Sequence, residues 1–214
     1  MTADAPRAVR LPHVVWDMGG IMYRYFTQVI RDTGHERGWP VDGMALGPAG
    51  ALEDIDYERM REGQIDEPEY ARIVAQRLRD AGIDGDPLHR IAWAEQSRPE
   101  TWAAIRRIHE AGFRQVVLTN DASAWLGERW WETWEPARWF DAMIDVATLG
   151  VRKPAPEPYL AAADALGADP TECLFVDDMP VNCRGAEAVG MASLLFDVRD
   201  PPASLRKLND ALGI

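Results

Sequence analysis

Five polar residues close short apolar runs in this chain. Asp17 follows His13–Trp16, Thr119 and Asn120 follow Gln115–Leu118, and Asp177 and Asp178 follow Cys173–Val176. A sixth, Lys153, stands in a loop after the run Met143–Val146. Together they offer carboxylates for a hard cation, a hydroxyl beside a helix N-terminus for an anion, and one lysine. That combination suits phosphoryl transfer, where catalysis is mostly positioning and charge neutralisation. Magnesium takes few carboxylates and completes its shell with water and substrate oxygens, which two aspartates from different strands can provide.

The elements around these residues have to bring them to one place. Brief apolar runs without alternation suit strands buried on both faces, and Ala192–Phe196 adds a fifth. Helical patterns at Thr101–Ala111, Ser123–Trp134, Pro156–Leu166 and Val181–Val189 separate most of them. Strand and helix in regular order predict an α/β fold, a doubly wound parallel sheet with helices on both faces. Ligands bind such a sheet beyond the carboxyl ends of its strands, where these polar residues stand. About eighty residues separate Asp17 from the second strand, far more than one crossover helix needs. Helical patterns at Asp54–Arg61, Glu67–Ala81 and Pro87–Glu95 fill that gap, punctuated by Gly63, Gly82 and Gly85. The expected division is a core of residues 1–21 and 99–214 with a helical cap over 22–98.

Bulk properties narrow the partners. The 214 residues hold one Rossmann-sized core and an insertion, and 47% apolar with 27% charged residues is an ordinary globular composition. A formal charge of −12 argues against nucleic acid and against an anionic membrane surface. It does not oppose a small phosphorylated substrate, because a metal ion reverses the local potential inside a pocket. The two cysteines, Cys173 and Cys183, form neither a ligand pair nor a disulfide framework. No segment has signal-peptide character and no apolar run approaches a membrane span, so a cytoplasmic protein, monomer or homodimer, is expected.

The stretches VVWDMGG, VVLTN, RKPAPEPY and LFVDDMPVNCRGAEAVGM, in that order, resemble the four motifs of the haloacid dehalogenase superfamily. The resemblance covers most of the chain outside 22–98. ARWFDAMIDVATLGVRKPAPEPYLAAADALG is especially similar to phosphatase members, and an insertion directly after the first motif matches the subgroup with a helical cap there. The resemblance implies Asp17 as a nucleophile that forms an aspartyl-phosphate. It implies Thr119, with backbone N–H groups at Asn120 and near Gly20, as the holder of phosphoryl oxygens. Lys153 would neutralise charge on Asp17 and the phosphoryl group. Asp178 would ligate Mg2+ with Asp17 and the carbonyl of Gly19, backed by Asp177 and Asn182. The implied activity is magnesium-dependent hydrolysis of a small phosphomonoester.

Two positions depart from the commoner pattern. Most phosphatases of the superfamily have a second aspartate two residues after the nucleophile, as acid and base; this chain has Gly19. A general acid or base typically contributes about a hundred- to ten-thousand-fold. The D-x-G-G form also occurs in a branch with sugar-phosphate phosphatases, such as glucose-1-phosphate phosphatases, whose substrates have better leaving groups. Tyr23, Tyr25 or a metal-bound water are the candidates to stand in. Asn182 replaces a frequent aspartate four residues after the metal ligand, keeping hydrogen bonds while dropping a charge. Tyr23 and Arg24, just past the nucleophile loop, are placed to touch the substrate, and Arg24 suits an anionic one.

Each feature also has a plainer reading. An Asp-x-Gly-Gly ending is more often a turn, Thr-Asn a helix cap, and Lys-Pro a solvated loop. The claim rests on all four occurring in order. Most of Trp125, Trp130, Trp131, Trp134 and Trp139 are read as helix-to-sheet packing rather than an interface, with Trp131 set apart as pointing elsewhere, where it can be exposed. His13, His35, His89 and His109 lack metal-site spacing, and Glu58, Arg59, Arg61 and Glu62 read as a solvated helix face. Three competing functions are weaker. A 2-haloacid dehalogenase has no use for the Asp177-Asp178 pair. A catalytically weak domain binding a phosphorylated metabolite or a protein partner is favoured by Gly19 and opposed by Asp17, Lys153 and Asp178 converging. A mutase needs the absent acid.

Overall fold

Neighbouring residues of the first apolar run pack on opposite sides of a sheet. Val14 and Trp16 join one buried cluster and Val15 another. The same split divides Leu174 and Val176 from Cys173 and Phe175, as a pleated strand covered on both faces requires. The computed structural model describes residues 13–83, 96–120, 122, 123, 127, 129–146 and 149–214. The helix expected at Pro87–Glu95, with Trp125 and His89, falls outside the described residues.

The sheet is parallel, in the order β3-β2-β1-β4-β5. Its strands are β1 (His13–Trp16), β2 (Arg114–Thr119), β3 (Ala142–Asp145), β4 (Cys173–Asp177) and β5 (Ala192–Leu195). All five lie within two residues of the runs read from the sequence. β1 is central, with Val15 in register with Val116 on one side and Phe175 on the other. Asp17, Thr119 and Asp177 therefore arrive at the same edge.

One face carries α4 (Pro99–Glu110) and α7 (Pro201–Leu212) through Ile105, Ile108, Leu205 and Leu208. The other carries α5 (Pro156–Leu166) and α6 (Pro180–Ala188) through Tyr159, Ala162, Leu166 and Ala186. A fully buried aliphatic side chain contributes about 1.5–3 kcal/mol relative to exposure, so these faces hold the helices to the sheet. α5 begins with a proline at its first position and stops at Gly167, which adopts the left-handed conformation of a C-cap. α7 was not expected; Asp200 caps it by accepting from Ala203 N at 3.0 Å.

The helix expected over Ser123–Trp134 does not form as one element. Gly127 has a φ of 94°, incompatible with a continuing α-helix. Beyond it lie two 3-10 turns, Trp130–Glu132 and Glu135–Trp139. The indoles pack instead of lining one helical stripe: Trp130 and Trp134 stand edge to face at 5.0 Å, and Trp102 joins them. Packing is thus the role of Trp130, Trp131, Trp134 and Trp139.

Between β1 and α4 a separate cluster joins α1 (Phe26–Arg37), α2 (Ile55–Arg61) and α3 (Glu67–Asp80). Phe26, Ile30, Tyr57, Met60, Tyr70 and Val74 fill it. α1 was not read from the sequence, because Thr27, Arg31, Asp32 and Gly34 interrupt its apolar spacing. Beneath this cluster Asp54 accepts from Gly47 N, Tyr57 N, Tyr70 Oη and Arg77 Nη1. Buried Arg98 ties the cluster to the sheet, donating to Gly20 O (2.8 Å) and to Gln28 Oε1 (2.7 Å).

Candidate active site

The sheet delivers its acidic residues at fixed points. The N–H of Asp17 still donates to Val176 O on β4 at 2.9 Å, so its carboxylate leaves β1 beside the end of β4. Asp177 is fully buried. Its Oδ1 accepts from Met179 N (2.7 Å), and Asn182, in the first turn of α6, donates to Oδ2 (3.0 Å).

Lys153 crosses from the loop after β3 and uses all three of its protons. Its ammonium donates to Asp17 Oδ1 (2.6 Å), Asp177 Oδ2 (2.9 Å) and Leu118 O (3.1 Å). Asn120 holds that loop in place: its Oδ1 accepts the Lys153 N–H at 3.0 Å. Asn120 thus positions Lys153 with its side chain, a task its place after β2 did not reveal.

Asp17, Asp177 and Asp178 can each bring one oxygen within 4.8 Å of the others. Asp178 Oδ2 is buried and lacks a hydrogen-bond partner among the described residues. The Asp17 carboxyl is raised to about 7, because burial outweighs the pull of Lys153 and Asp177 adds to the rise. Burial also drives Asp178 well above the usual carboxylate range, reinforced by Asp177, Asp17 and Glu67. Burial works against the Lys153 charge, but Asp17 and Asp177 outweigh it and keep the ammonium above the ordinary lysine range. Lys153 thus bonds to two of the three buried carboxylates and leaves Asp178 without a hydrogen-bonded cation among the described residues, a charge that a divalent ion would supply.

Above this floor opens a cavity of about 380 Å³, within the size range of small-molecule sites. Asp17, Gly19, Thr119, Asn120, Lys153 and Asp178 line one side, and residues of α1–α3 line the other. All the expected site residues except Asp177 border it, including Gly20, Tyr23, Arg24 and Asn182. Asp177 sits behind the floor. Tyr23 Oη accepts from Trp134 Nε1 at 2.8 Å, and Arg24 is ion-paired with Asp32. Tyr25 Oη is turned to Met60 Sδ at 3.4 Å.

Some supporting residues carried no signal in the sequence. Arg98 fixes the Gly20 carbonyl from a position read only as the last of the expected cap. Asp145 receives Ser123 N (2.8 Å) and steadies the turn after β2, and Tyr159 Oη donates to Asn182 O (2.8 Å). A polar residue ending a strand, as Asp145 does, was the available clue for one of them. Cys183 is buried against Asp177 O, and burial pushes its thiol up, which fits a packing role.

Fold and site together define a Rossmann-like enzyme core with a buried carboxylate centre at the strand ends. The chain belongs to the haloacid dehalogenase-like hydrolases, whose family model matches residues 11–190. It is 25% identical over 187 residues to Phosphatase MT3486 of Mycobacterium tuberculosis (strain CDC 1551 / Oshkosh), covering 86% of each protein. It is 34% identical over 114 residues to bifunctional epoxide hydrolase 2 of Sus scrofa, covering 52% of this chain. That match spans only 20% of the pig protein's length. Among solved structures, L-2-haloacid dehalogenase from Xanthobacter autotrophicus shares the fold with a TM-score of 0.56 and 20% identity, over 86% of this chain and 76% of that one. Among the described residues no helix is long and apolar enough to cross a membrane.

Proposed function

We propose that the protein is a magnesium-dependent phosphatase of small phosphomonoesters, sugar phosphates foremost, in which residues 22–98 form a cap over the cleft. The observation that carries this reading is Lys153 bridging Asp17 and Asp177 beside Asp178, whose buried Oδ2 has no hydrogen-bond partner among the described residues. The donor set fits a hard divalent cation: Asp17, Asp178 and the Gly19 carbonyl would hold it, with Asp177 and Asn182 behind. Such an ion would neutralise negative charge shared by the carboxylates and the phosphate. The M. tuberculosis phosphatase, similar along most of both chains, supports the same reaction class.

In this reading the Asp17 oxygen that Lys153 does not hold attacks phosphorus. The bond from phosphorus to the alcohol oxygen breaks, leaving the phosphoryl group on Asp17. Thr119 and the N–H groups at Asn120 and Gly20 hold its outer oxygens, while Lys153 balances charge. The departing alcohol takes its proton from water, since Gly19 brings none. A water molecule then attacks phosphorus, inorganic phosphate leaves, and the Asp17 carboxylate is restored. In a haloacid dehalogenase, which needs no metal, the Asp177-Asp178 pair would have no ion to hold, which disfavours that alternative.

The test is phosphate release from a panel of phosphorylated metabolites with and without magnesium, native protein beside Asp17→Asn. Release that needs magnesium and disappears in the variant is expected. No release from any ester, or release that survives the substitution, overturns the proposal.

A further inference from the structure

The geometry points to Arg98 as a positioning residue: its guanidinium sets the loop that presents the Gly19 carbonyl to the metal ion, and Gln28 sets the guanidinium. This rests on the phosphatase reading and gives that site a support from outside its own motifs.

Two glycines in succession leave the loop after β1 with wide backbone freedom. An added Cβ on Gly19 would meet nothing within 4 Å, whereas one on Gly20 would stand 2.6 Å from Asp178 Oδ2. The loop closes on itself through Met18 O, which accepts from Met22 N (3.0 Å) and Tyr23 N (3.3 Å). Arg98 Nε then donates to the Gly20 carbonyl at 2.8 Å. Held by Arg98 and packed against Asp178, Gly20 fixes the peptide it shares with Gly19. That peptide carries the carbonyl proposed for the cation.

Arg98 is itself well placed to hold something. It stands where the chain returns to the core, and the two crossings are zipped together. Arg24 N donates to Gln96 O (2.8 Å), Tyr23 and Ser97 form an antiparallel bridge, and Arg98 N donates to Met22 O (2.8 Å). Pro99 follows and favours the extended backbone that Arg98 adopts, with φ −98° and ψ 103°. The side chain is buried, and its Nη2 donates to Gln28 Oε1 at 2.7 Å. Gln28 lies in the first turn of α1, where the same oxygen accepts from Tyr25 N at 3.0 Å. A planar guanidinium serves two acceptors at fixed angles, which an ammonium on a flexible stem does not. Through Gln28, Arg98 and Gly20 in turn, α1 reaches the glycine loop.

Positioning and charge predict opposite effects. Burial and Arg24 pull the Arg98 guanidinium below its ordinary value, against Glu100 and Asp178. A cation whose field reaches Asp178 repels a metal ion there, so removing its charge alone would tighten binding. Losing the loop geometry would weaken it.

The test measures magnesium binding to the metal-stripped full chain by calorimetry, beside hydrogen exchange of the Met22 and Tyr23 amides without the ion. Arg98→Met is expected to weaken binding about tenfold or more, and to speed exchange of those two amides relative to the amides of β2. Arg98→Lys keeps the charge and one bond, and should fall between. Gln28→Glu retains the acceptor and should bind at least as tightly as the native protein, whereas Gln28→Met should lose about fivefold. A merely structural role would lower the melting temperature and leave the Kd of the folded protein unmoved. Equal or tighter binding in Arg98→Met therefore overturns the proposal. If that variant does not fold, the two Gln28 variants decide, and equal affinity in both overturns it. Magnesium binding without phosphate release from any ester would remove the phosphatase reading alone; no magnesium binding by the native protein would remove both.

Discussion

A Cβ placed on Gly20 would stand 2.6 Å from Asp178 Oδ2, and the φ of Gly20 is 70°. The loop after β1 thus lies against the carboxylate at the end of β4 because residue 20 has no side chain. Gly20→Ala has to strain the backbone and displace Asp178 together. The expected loss is about 1–3 kcal/mol of stability, read by urea unfolding, and at least tenfold in phosphate release. Unchanged activity would mean that the Asp178 position does not matter to the reaction.

Lys153 bridges two buried carboxylates, Asp17 and Asp177. Lys153→Met leaves Asp17 and Asp177 facing each other without it. Breaking a buried pair on one side typically costs about 3–5 kcal/mol, so a fall of that order in unfolding free energy is expected, along with loss of turnover. A variant as stable as the native protein would show that the carboxylates are already neutral without Lys153.

Asp178 is buried, and its Oδ2 has no hydrogen-bond partner among the described residues. Magnesium should therefore stabilise the native protein and raise its melting temperature, the stabilisation being about 2.7 kcal/mol at a concentration a hundredfold above Kd. Asp178→Asn keeps the shape and removes the charge. The metal-free variant is expected to melt at or above the native temperature, to respond less to magnesium, and to be inactive. Calorimetry with and without the ion checks all but the last; full magnesium stabilisation in the variant would relocate the metal.

Gly19 has open space around it: an added Cβ meets nothing within 4 Å, and its φ is not positive. Gly19→Asp should therefore fold, and an acid there would face the leaving group. Turnover of simple alkyl phosphates is expected to rise by up to about a hundredfold, while anomeric sugar phosphates, with better leaving groups, gain less. Equal effects on both classes would count against a missing acid as the bottleneck.

Asp54 anchors α2 and α3. Burial alone would raise its carboxyl, but Gly47, Tyr70, Tyr57 and Arg77 together hold it below the usual range. A depressed carboxyl contributes stability above its unfolded value, near 3.8, and loses it as the pH falls through the lower folded value. Thermal unfolding below about pH 4 should show that loss. Asp54→Asn should flatten the acid limb and remove roughly 1.5–3 kcal/mol at neutral pH, as expected for hydrogen bonds to a charged group.

Strands were readable because each is short and mostly apolar and most are closed by a polar residue, so burial on both faces left its mark in composition. α1 escaped because its inward residues alternate with polar ones, and α7 because a Pro-Pro start reads as a loop. The apolar spacing at 123–134 looked helical, yet one glycine conformation broke it. Of the site, Asp17, Thr119, Lys153 and Asp178 stood out by type and position. Arg98, Asp145 and Tyr159 did not, since each acts through a hydrogen bond to a residue distant in the chain.

The sequence alone determined the sheet, the order of its polar strand ends and the inventory of charges, because local composition dictates which segments can be buried on both faces. Only the tertiary structure decided that Lys153 would bridge Asp17 and Asp177, and that Arg98 would reach back to Gly20. Those outcomes depend on distances across the sheet and on which groups share one dry volume, and Coulomb interactions there follow separation and solvent access rather than sequence spacing.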